Sequence, residues 1–327
     1  MTLVPEATMS DCRLAKSARR TVIACGWLLV SVAAGHAADC GMAQAFKQPD
    51  GNAKTGFTRV WSDREAKALF FIEGLNVNTD GTRRSYSVDD FWGEETALNN
   101  LCNAMSDACA GLSKDGLRSR RLLTQKAFAN GWPAELLAQT KIAPAIIPFK
   151  GGKPCPPVDG FLVSATALHK PNVADVCDIG NYADALVTPA LVLPKNPAKN
   201  TLSEFAKRHA KVGDLAVALV PGSSAPVFAV VGDTGPAKEL GEGSVALNGK
   251  LLGKNAAPAN YQEVRGKGAF KGKAWTVPQA MVLIFPASGD SVEPYLTPER
   301  IDAAAQKLFE DWGGVARLNA CAADYGR

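Results

Sequence analysis

The sequence predicts an α+β, β-rich protein: a compact β-barrel core with helices added around it. Three observations lead there. Short apolar runs separated by Gly and Pro fill the stretch from about 146 to 285. These runs do not alternate with crossover helices, which argues against a doubly wound parallel sheet. Helix-biased sequence is confined to residues 88–145, 201–213 and a last segment from 297. With 327 residues, 46% of them hydrophobic, the chain is long enough for one large core or two small ones. No internal repeat divides it, so one catalytic domain over 38–327 is expected, with 88–145 as a helical insertion.

Residues 1–37 read as a secretory signal peptide. "RLAKSARR" is a basic segment, "TVIACGWLLVSVAA" an apolar one, and small residues Gly35 and Ala37 precede the expected cut. That apolar run is short for a membrane span, and no later segment approaches about 18 uninterrupted apolar residues. The mature chain is therefore expected to be secreted or periplasmic, without a membrane partner. Signal removal takes four basic and two acidic residues. The 36 basic and 32 acidic residues become 32 and 30, so a net charge of +4 falls to +2. A balance that mild excludes nucleic acid as an expected partner.

Cysteines agree with export. Cys12 and Cys25 leave with the signal, and Cys40, Cys102, Cys109, Cys155, Cys177 and Cys321 remain. An even count in an oxidising compartment favours disulfides. The pairs expected are Cys102–Cys109 within one helical segment, Cys155–Cys177 closing a loop, and Cys40–Cys321 tying the termini. A metal site is the rival reading, but no CxxC spacing supports it.

Taken in order, residues 40–57 read as a loop, and "ALFFIEGLNV" (68–77) as a strand entering the turn "NTDGT". Residues 88–145 carry apolar positions at three- and four-residue steps. Strands are then expected at "GFLVSATAL", "PALVLP", "LAVALV", "PVFAVV", "GSVALNG" and "QAMVLIF", the third and fourth forming a hairpin around Pro-Gly-Ser. An amphipathic helix is expected at "TLSEFAKRHAKVG", with Thr201 and Glu204 as a capping box. The last, "TPERIDAAAQKLFEDWGG", has Thr297 as its cap, Pro298 in its first turn and an apolar stripe of Ile301, Ala304, Leu308 and Trp312.

Chemistry is narrowed by what is missing. Only His169 and His209 survive signal removal, and no H-E-x-x-H, G-x-S-x-G or P-loop pattern occurs. Neither a metal nor a cofactor is expected. Carboxylates remain. One protonated acid can donate to a leaving oxygen while an ionised one takes a proton from water. Glycosidic bonds are cut by this division of labour, with inversion when the carboxyls stand about 6.5–9.5 Å apart. In "VVGDTGPAKELGEGSVAL", Asp233 and Glu242 stand at two strand–loop junctions flanked by Gly232, Gly235, Gly241 and Gly243. A pair of solvated surface acids is the plain alternative. "DTG" also resembles the aspartic-protease motif, but the second copy that a two-lobed protease needs is missing.

"VVGDTGPAKELGEGSVALNGKLLG" resembles the signature of the fungal-type chitosanases, glycoside hydrolase family 75: a G-D-x-G turn, a short polar loop, then G-E-x-S. "FFIEGLNVNTDG", "YADALVTPALVLP" and "AWTVPQAMVLIFPASG" are similar to further segments of that family. The resemblance implies an endo-chitosanase-like enzyme cleaving β-1,4 glucosamine linkages with inversion, with Glu242 as general acid and Asp233 as general base. An amino-sugar polysaccharide is the implied partner, and the core expected is a double-psi-like β-barrel, which carries acids on loops at one end of its strands. Asp80, Trp92 and Thr234 are the candidate substrate-binding residues. Asp89, Asp90 and Glu239 are further acids, read as solvated surface. The alternatives are a non-catalytic polysaccharide-binding protein on the same fold, or a dimeric aspartic protease.

Overall fold

The computed structural model describes residues 39–51, 54 and 56–326; the proposed signal lies outside them. The strands are β1 (Met42–Pro49), β2 (Phe57–Asp63), β3 (Leu69–Asn78), β4 (Phe149–Lys150), β5 (Lys153–Pro154), β6 (Ala190–Pro194), β7 (Leu215–Leu219), β8 (Val227–Gly235), β9 (Glu242–Ser244) and β10 (Val277–Ile284). The helices are α1 (Lys114–Ala129), α2 (Ala134–Thr140), α3 (Val245–Leu251), α4 (Tyr261–Val264), α5 (Pro298–Trp312) and α6 (Gly314–Tyr325).

Strands run in the order β3-β10-β7-β8-β6-β9, and β9 pairs back with β3. The result is a closed six-stranded barrel in a mixed α+β fold. Closure removes the barrel's free edges. β1 and β2 extend it from β3, and β4 and β5 form a separate small ladder. Pairing is antiparallel apart from β3–β9 and β6–β8.

Alternation along the strands sorts two cores. Leu69, Phe71, Leu191, Ala216, Ala218, Ala229, Val231, Ala280 and Val282 pack together inside the barrel. Four of them are alanines, a volume that suits a narrow lumen. Phe70, Val217, Leu219, Val230, Met281 and Leu283 point outward, where Ile301, Ala305, Phe309 and Trp312 of α5 and Leu318 of α6 cover them. A satellite core under residues 86–162 collects Tyr86, Phe91, Leu101, Trp132 and Ile147.

All three expected disulfides are present: Cys40–Cys321, Cys102–Cys109 and Cys155–Cys177. The hairpin of β7 and β8 also forms as expected. Several elements differ from expectation, each for a visible reason. Residues 40–57 hold β1, whose polar outer face (Gln44, Lys47) hides the alternation of Met42, Phe46 and Gln48 beneath it. "GSVALNG" is strand only in Gly243 and Ser244, the end of β9, and turns helical from Val245. Ser244 accepts the Leu247 N–H at 3.1 Å and starts α3 there. "GFLVSATAL" forms no strand, because its amides go to scattered carbonyls, Leu162 to Tyr86, Ala165 to Ile146 and Leu168 to Gly232.

The helix expected at 201–213 shrinks to one 3-10 turn, Ala206–Arg208. Ser203 caps Ala206, while Glu204 pairs with Lys207 and Arg208 instead of closing a capping box. His209, in the left-handed region at φ 63°, ends the turn. Within 88–113 only Leu101–Ala104 is helical. There Asp90 takes the N–H groups of Glu94, Glu95, Thr96 and Ala97 at 2.8–3.1 Å, a side-chain competitor to helix formation. Cys102–Cys109 therefore staples an irregular segment, not a helix. α5 begins at Pro298 and is capped by Gly313 after Trp312, but its most buried stripe is Ile301, Ala305, Phe309 and Trp312, and Thr297 makes no side-chain cap. α6, directly after it, has no counterpart in the sequence reading.

Candidate active site

Position along β8 decides where Asp233 points. Ala229 and Val231 face the barrel interior, and simple alternation would send Asp233 after them. The register with β6 shifts there: Leu191 pairs with Val231, and Val192 with Asp233. Gly232 is the extra residue of this β-bulge, which re-aims the next side chain along the strand. A Cβ on Gly232 would lie 2.6 Å from that of Ala190, so the bulge needs glycine. Asp233 thus turns to the outer face beside Val192.

Val192 pairs with Glu242 on its other side, and Glu242 pairs in turn with Asn76 of β3. Residues directly opposite across a sheet share a face. Asp233, Val192, Glu242 and Asn76 therefore stand in one row on one face. Two strand spacings put the Cα atoms of the acids about 10 Å apart. The Glu242 carboxylate leans back toward β8, with Oε2 3.6 Å from where a Gly235 Cβ would be. β9 reaches β3 because Gly241 (φ 96°) approaches so closely that a Cβ would meet the Gly74 carbonyl oxygen at 2.3 Å. The Asn76 N–H donates to the Gly241 carbonyl at 2.8 Å. The Asn248 side chain locks α3 behind this strand, donating to the Leu75 and Trp275 carbonyls at 2.9 and 3.0 Å.

Asp80 joins the pair from the turn after β3. Its Oδ1 accepts the Tyr86 hydroxyl at 2.7 Å and the Ser164 hydroxyl at 3.3 Å, and its N–H donates to Asn78 Oδ1 at 2.7 Å. The Asn99 amide donates to the Tyr86 oxygen at 3.2 Å. Asp233 Oδ1 accepts the N–H groups of Ala167 (3.1 Å) and Thr234 (2.8 Å). Asp80 and Asp233 border one cavity of about 20 Å³, floored by Ala183, Ala190, Leu191 and Val192. All three carboxylates are half-buried, each keeping part of its surface toward solvent.

Burial raises all three, and like charge adds to the rise of Asp233 and Glu242. Asp233 is pushed up to about 7, first by desolvation, then by Asp80, with Glu242 adding least and the two backbone donors opposing. Glu242 reaches about 7 through burial, then Asp80, then Glu239, with a hydrogen bond from Asn78 opposing. Asp80 rises to about 6 by burial, against Tyr86 and Ser164. The buried Tyr86 phenol is raised well above its usual value, by desolvation and then by Asp80. Asp80 thus outranks either outer acid in its effect on the other. Near neutral pH such a cluster holds protonated and ionised carboxyls side by side.

Of the other residues singled out from sequence, Thr234 contributes its amide to Asp233, while its side chain lines a different depression with Leu193 and Phe205. Trp92 is half-buried, edge-on to Phe91 with ring centroids 4.6 Å apart, in the satellite core. Asp90 is a loop-capping residue. Sequence reasoning missed Tyr86, Ser164 and Asn78. Asn78 sits inside "NVNTDG" and Tyr86 six residues after Asp80, but Ser164 lies in a segment whose composition reads as a strand. Among the described residues no His, Cys, Asp and Glu cluster has metal-holding geometry, and no helix is long and apolar enough to cross a membrane. No protein-family model matches the chain, and no curated protein matches it.

Proposed function

We propose that the protein is an exported endo-acting glycoside hydrolase that cuts β-1,4 links of an amino-sugar polysaccharide, chitosan foremost, with inversion of the anomeric carbon. One observation carries the reading: Asp233 and Glu242 flank Val192 in a single cross-strand row. That row sets a backbone spacing of about two strands, from which two carboxyls can bracket a sugar and a water. Glu242, the protonated member, donates to the leaving oxygen. Asp233, ionised, draws a proton from the water on the opposite side of the ring. Both stand near 7, so each role is populated around neutrality.

The acids also fit the substrate class. A glucosamine polymer is cationic, and Asp80, Asp233, Glu239 and Glu242 present like charge to it. Three disulfides fit an oxidising destination. The closed six-stranded barrel with both parallel and antiparallel pairs is compatible with a double-psi-like core, which we carry as part of the same reading.

The test is direct. The purified protein is incubated with chitosan, chitin and peptidoglycan, and the first products are followed by proton NMR. An α-anomer appearing first from chitosan is expected, together with loss of turnover but retained oligosaccharide binding in Asp233→Asn. A first product that is mainly β removes inversion. No new reducing ends from any of the three polymers removes the enzyme.

A further inference from the structure

We propose that Asp80 is a third catalytic residue: with Asp233 it holds the attacking water, and the two carboxylates together, not Asp233 alone, accept its proton. This rests on the glycosidase reading above and assigns Asp80 a role in the chemistry instead of in sugar binding.

The geometry of hydrogen bonding carries the inference. Asp80 and Asp233 border the same small cavity, whereas Glu242 lies outside it. In both aspartates Oδ1 is the anchored oxygen. Tyr86 and Ser164 hold that of Asp80, and the amides of Ala167 and Thr234 hold that of Asp233. Among the described residues the Oδ2 atoms have no hydrogen-bond partner. Each carboxylate thus keeps one oxygen for a ligand, and a water bridging them finds two acceptors for its two protons. Of the polar residues that also line the cavity, Thr166, Thr188 and Ser244 spend their hydroxyl protons on the carbonyls of Leu168, Leu296 and Thr188, so they do not compete as donors for the aspartate oxygens.

The donors set the division of labour. Tyr86 and Ser164 supply hydroxyls to Asp80, and hydrogen bonds to the charged form favour it. Asp80 is the most readily ionised of the three. Its charge disfavours ionisation of both neighbours, so it also helps keep Glu242 protonated for its work as acid. In the step itself the water oxygen bonds to the anomeric carbon and one water proton passes to the aspartate pair. The glycosidic C–O bond breaks, its electron pair stays on the leaving oxygen, and Glu242 gives that oxygen its proton. Solvent returns the proton from the aspartates to Glu242 before the next cycle.

The experiment compares wild type, Asp80→Asn, Asp80→Gly and Tyr86→Phe on soluble chitosan from pH 4 to 9, with circular dichroism to report folding. Asp80→Asn is expected to lose kcat about a hundredfold or more with KM within about threefold. Azide is expected to restore bond cleavage in Asp80→Gly with release of an α-glycosyl azide, because a small anionic nucleophile needs no base. Tyr86→Phe leaves Asp80 in place but removes its shorter hydrogen bond, and the acidic limb of its kcat profile is expected to move to higher pH. Folded Asp80→Asn with kcat within threefold of wild type overturns the proposal, as does raised KM alone. Should Asp80→Asn fail to fold, an unshifted Tyr86→Phe profile overturns it. A wild type that cuts no polysaccharide overturns the glycosidase reading and this inference together, whereas an active wild type with an indifferent Asp80 overturns only the latter.

Discussion

Replacing Asp233 with asparagine should make the protein more stable at neutral and alkaline pH while ending its proposed activity. The carboxyl's ordinary value of 3.8 rises to about 7 in the folded chain. Between those values the folded state binds more protons than the unfolded one, so stability falls as pH rises through the window from about 4 to 7. Above 7 the whole loss is present. At 1.36 kcal/mol for each tenfold change, that rise corresponds to about 4 kcal/mol.

Two features reduce what an experiment would see. Asp233 retains some solvent contact, and Asp80 and Glu242 share its repulsion, so about 2 kcal/mol is the expected gain. Asparagine keeps the carbonyl oxygen that accepts from Ala167 and Thr234, so no backbone donor is orphaned. For a domain this size about 2 kcal/mol is worth about 4 °C in Tm. Thermal unfolding at pH 3.5 and pH 8, without reductant, is the assay. The variant should match wild type at pH 3.5 and melt higher at pH 8. An equal or lower melting point at pH 8, or a gap that does not change with pH, would refute the argument that burial and like charge strain this site.

Gly241→Ala should cost at least about 2 kcal/mol in urea titration, since the new Cβ meets the Gly74 carbonyl oxygen in a left-handed backbone; a cost under half of that would mean β9 and β3 separate easily. Cys321→Ser opens the 281-residue loop closed by Cys40 and should lose about 4 kcal/mol, read from the urea midpoint, whereas Cys102→Ser, opening a 7-residue loop, should lose clearly less. Ser164→Ala, which takes the longer of the two hydroxyls from Asp80, should shift the acidic limb of activity upward by less than Tyr86→Phe; the reverse order would mean that the 2.7 Å bond from Tyr86 is not the dominant one.

The parts of the fold legible in the sequence rest on local patterns. The β7–β8 hairpin has its turn written between two apolar runs, and the barrel strands β3, β6, β8 and β10 are continuous enough in apolar residues to announce themselves. Compartment and an even count made disulfides legible, but six cysteines allow fifteen pairings, so the connectivity itself was not written in the sequence. The parts that were not legible depend on partners distant in the chain. β1 is half polar because one face stays wet, and only its pairing with β2 makes it a strand. Segment 160–168 has strand composition, yet its amides answer to Tyr86 and Ile146 in two separate loops and to Gly232 in β8. Asp233 and Glu242 could be picked out as a pair, but their common face could not. A one-residue bulge decides it, and alternation alone would have buried Asp233 in the lumen.

That bulge explains why the acids are tolerable at all. The barrel interior is closed by alanine, leucine and valine, and a carboxylate among them would have to stay neutral or be lost to desolvation. On the outer face Asp233 meets two amides and Asp80 two hydroxyls, with solvent on the remaining side. The site is thus dry enough to lift Asp80 to about 6 and Asp233 and Glu242 to about 7 and wet enough to let them exchange protons. A strand row sets the lateral spacing of Asp233 and Glu242, so the proposed chemistry does not depend on loop conformation for the reach of that pair. Glu242 is held by pairing on both sides, to β3 and β6, and Asp233 by pairing with β6. Asp80 alone sits on a turn, and it is the residue given the most side-chain donors. Hydrogen bonds from Tyr86 and Ser164 hold one oxygen of Asp80 as the amides of Ala167 and Thr234 hold one oxygen of Asp233.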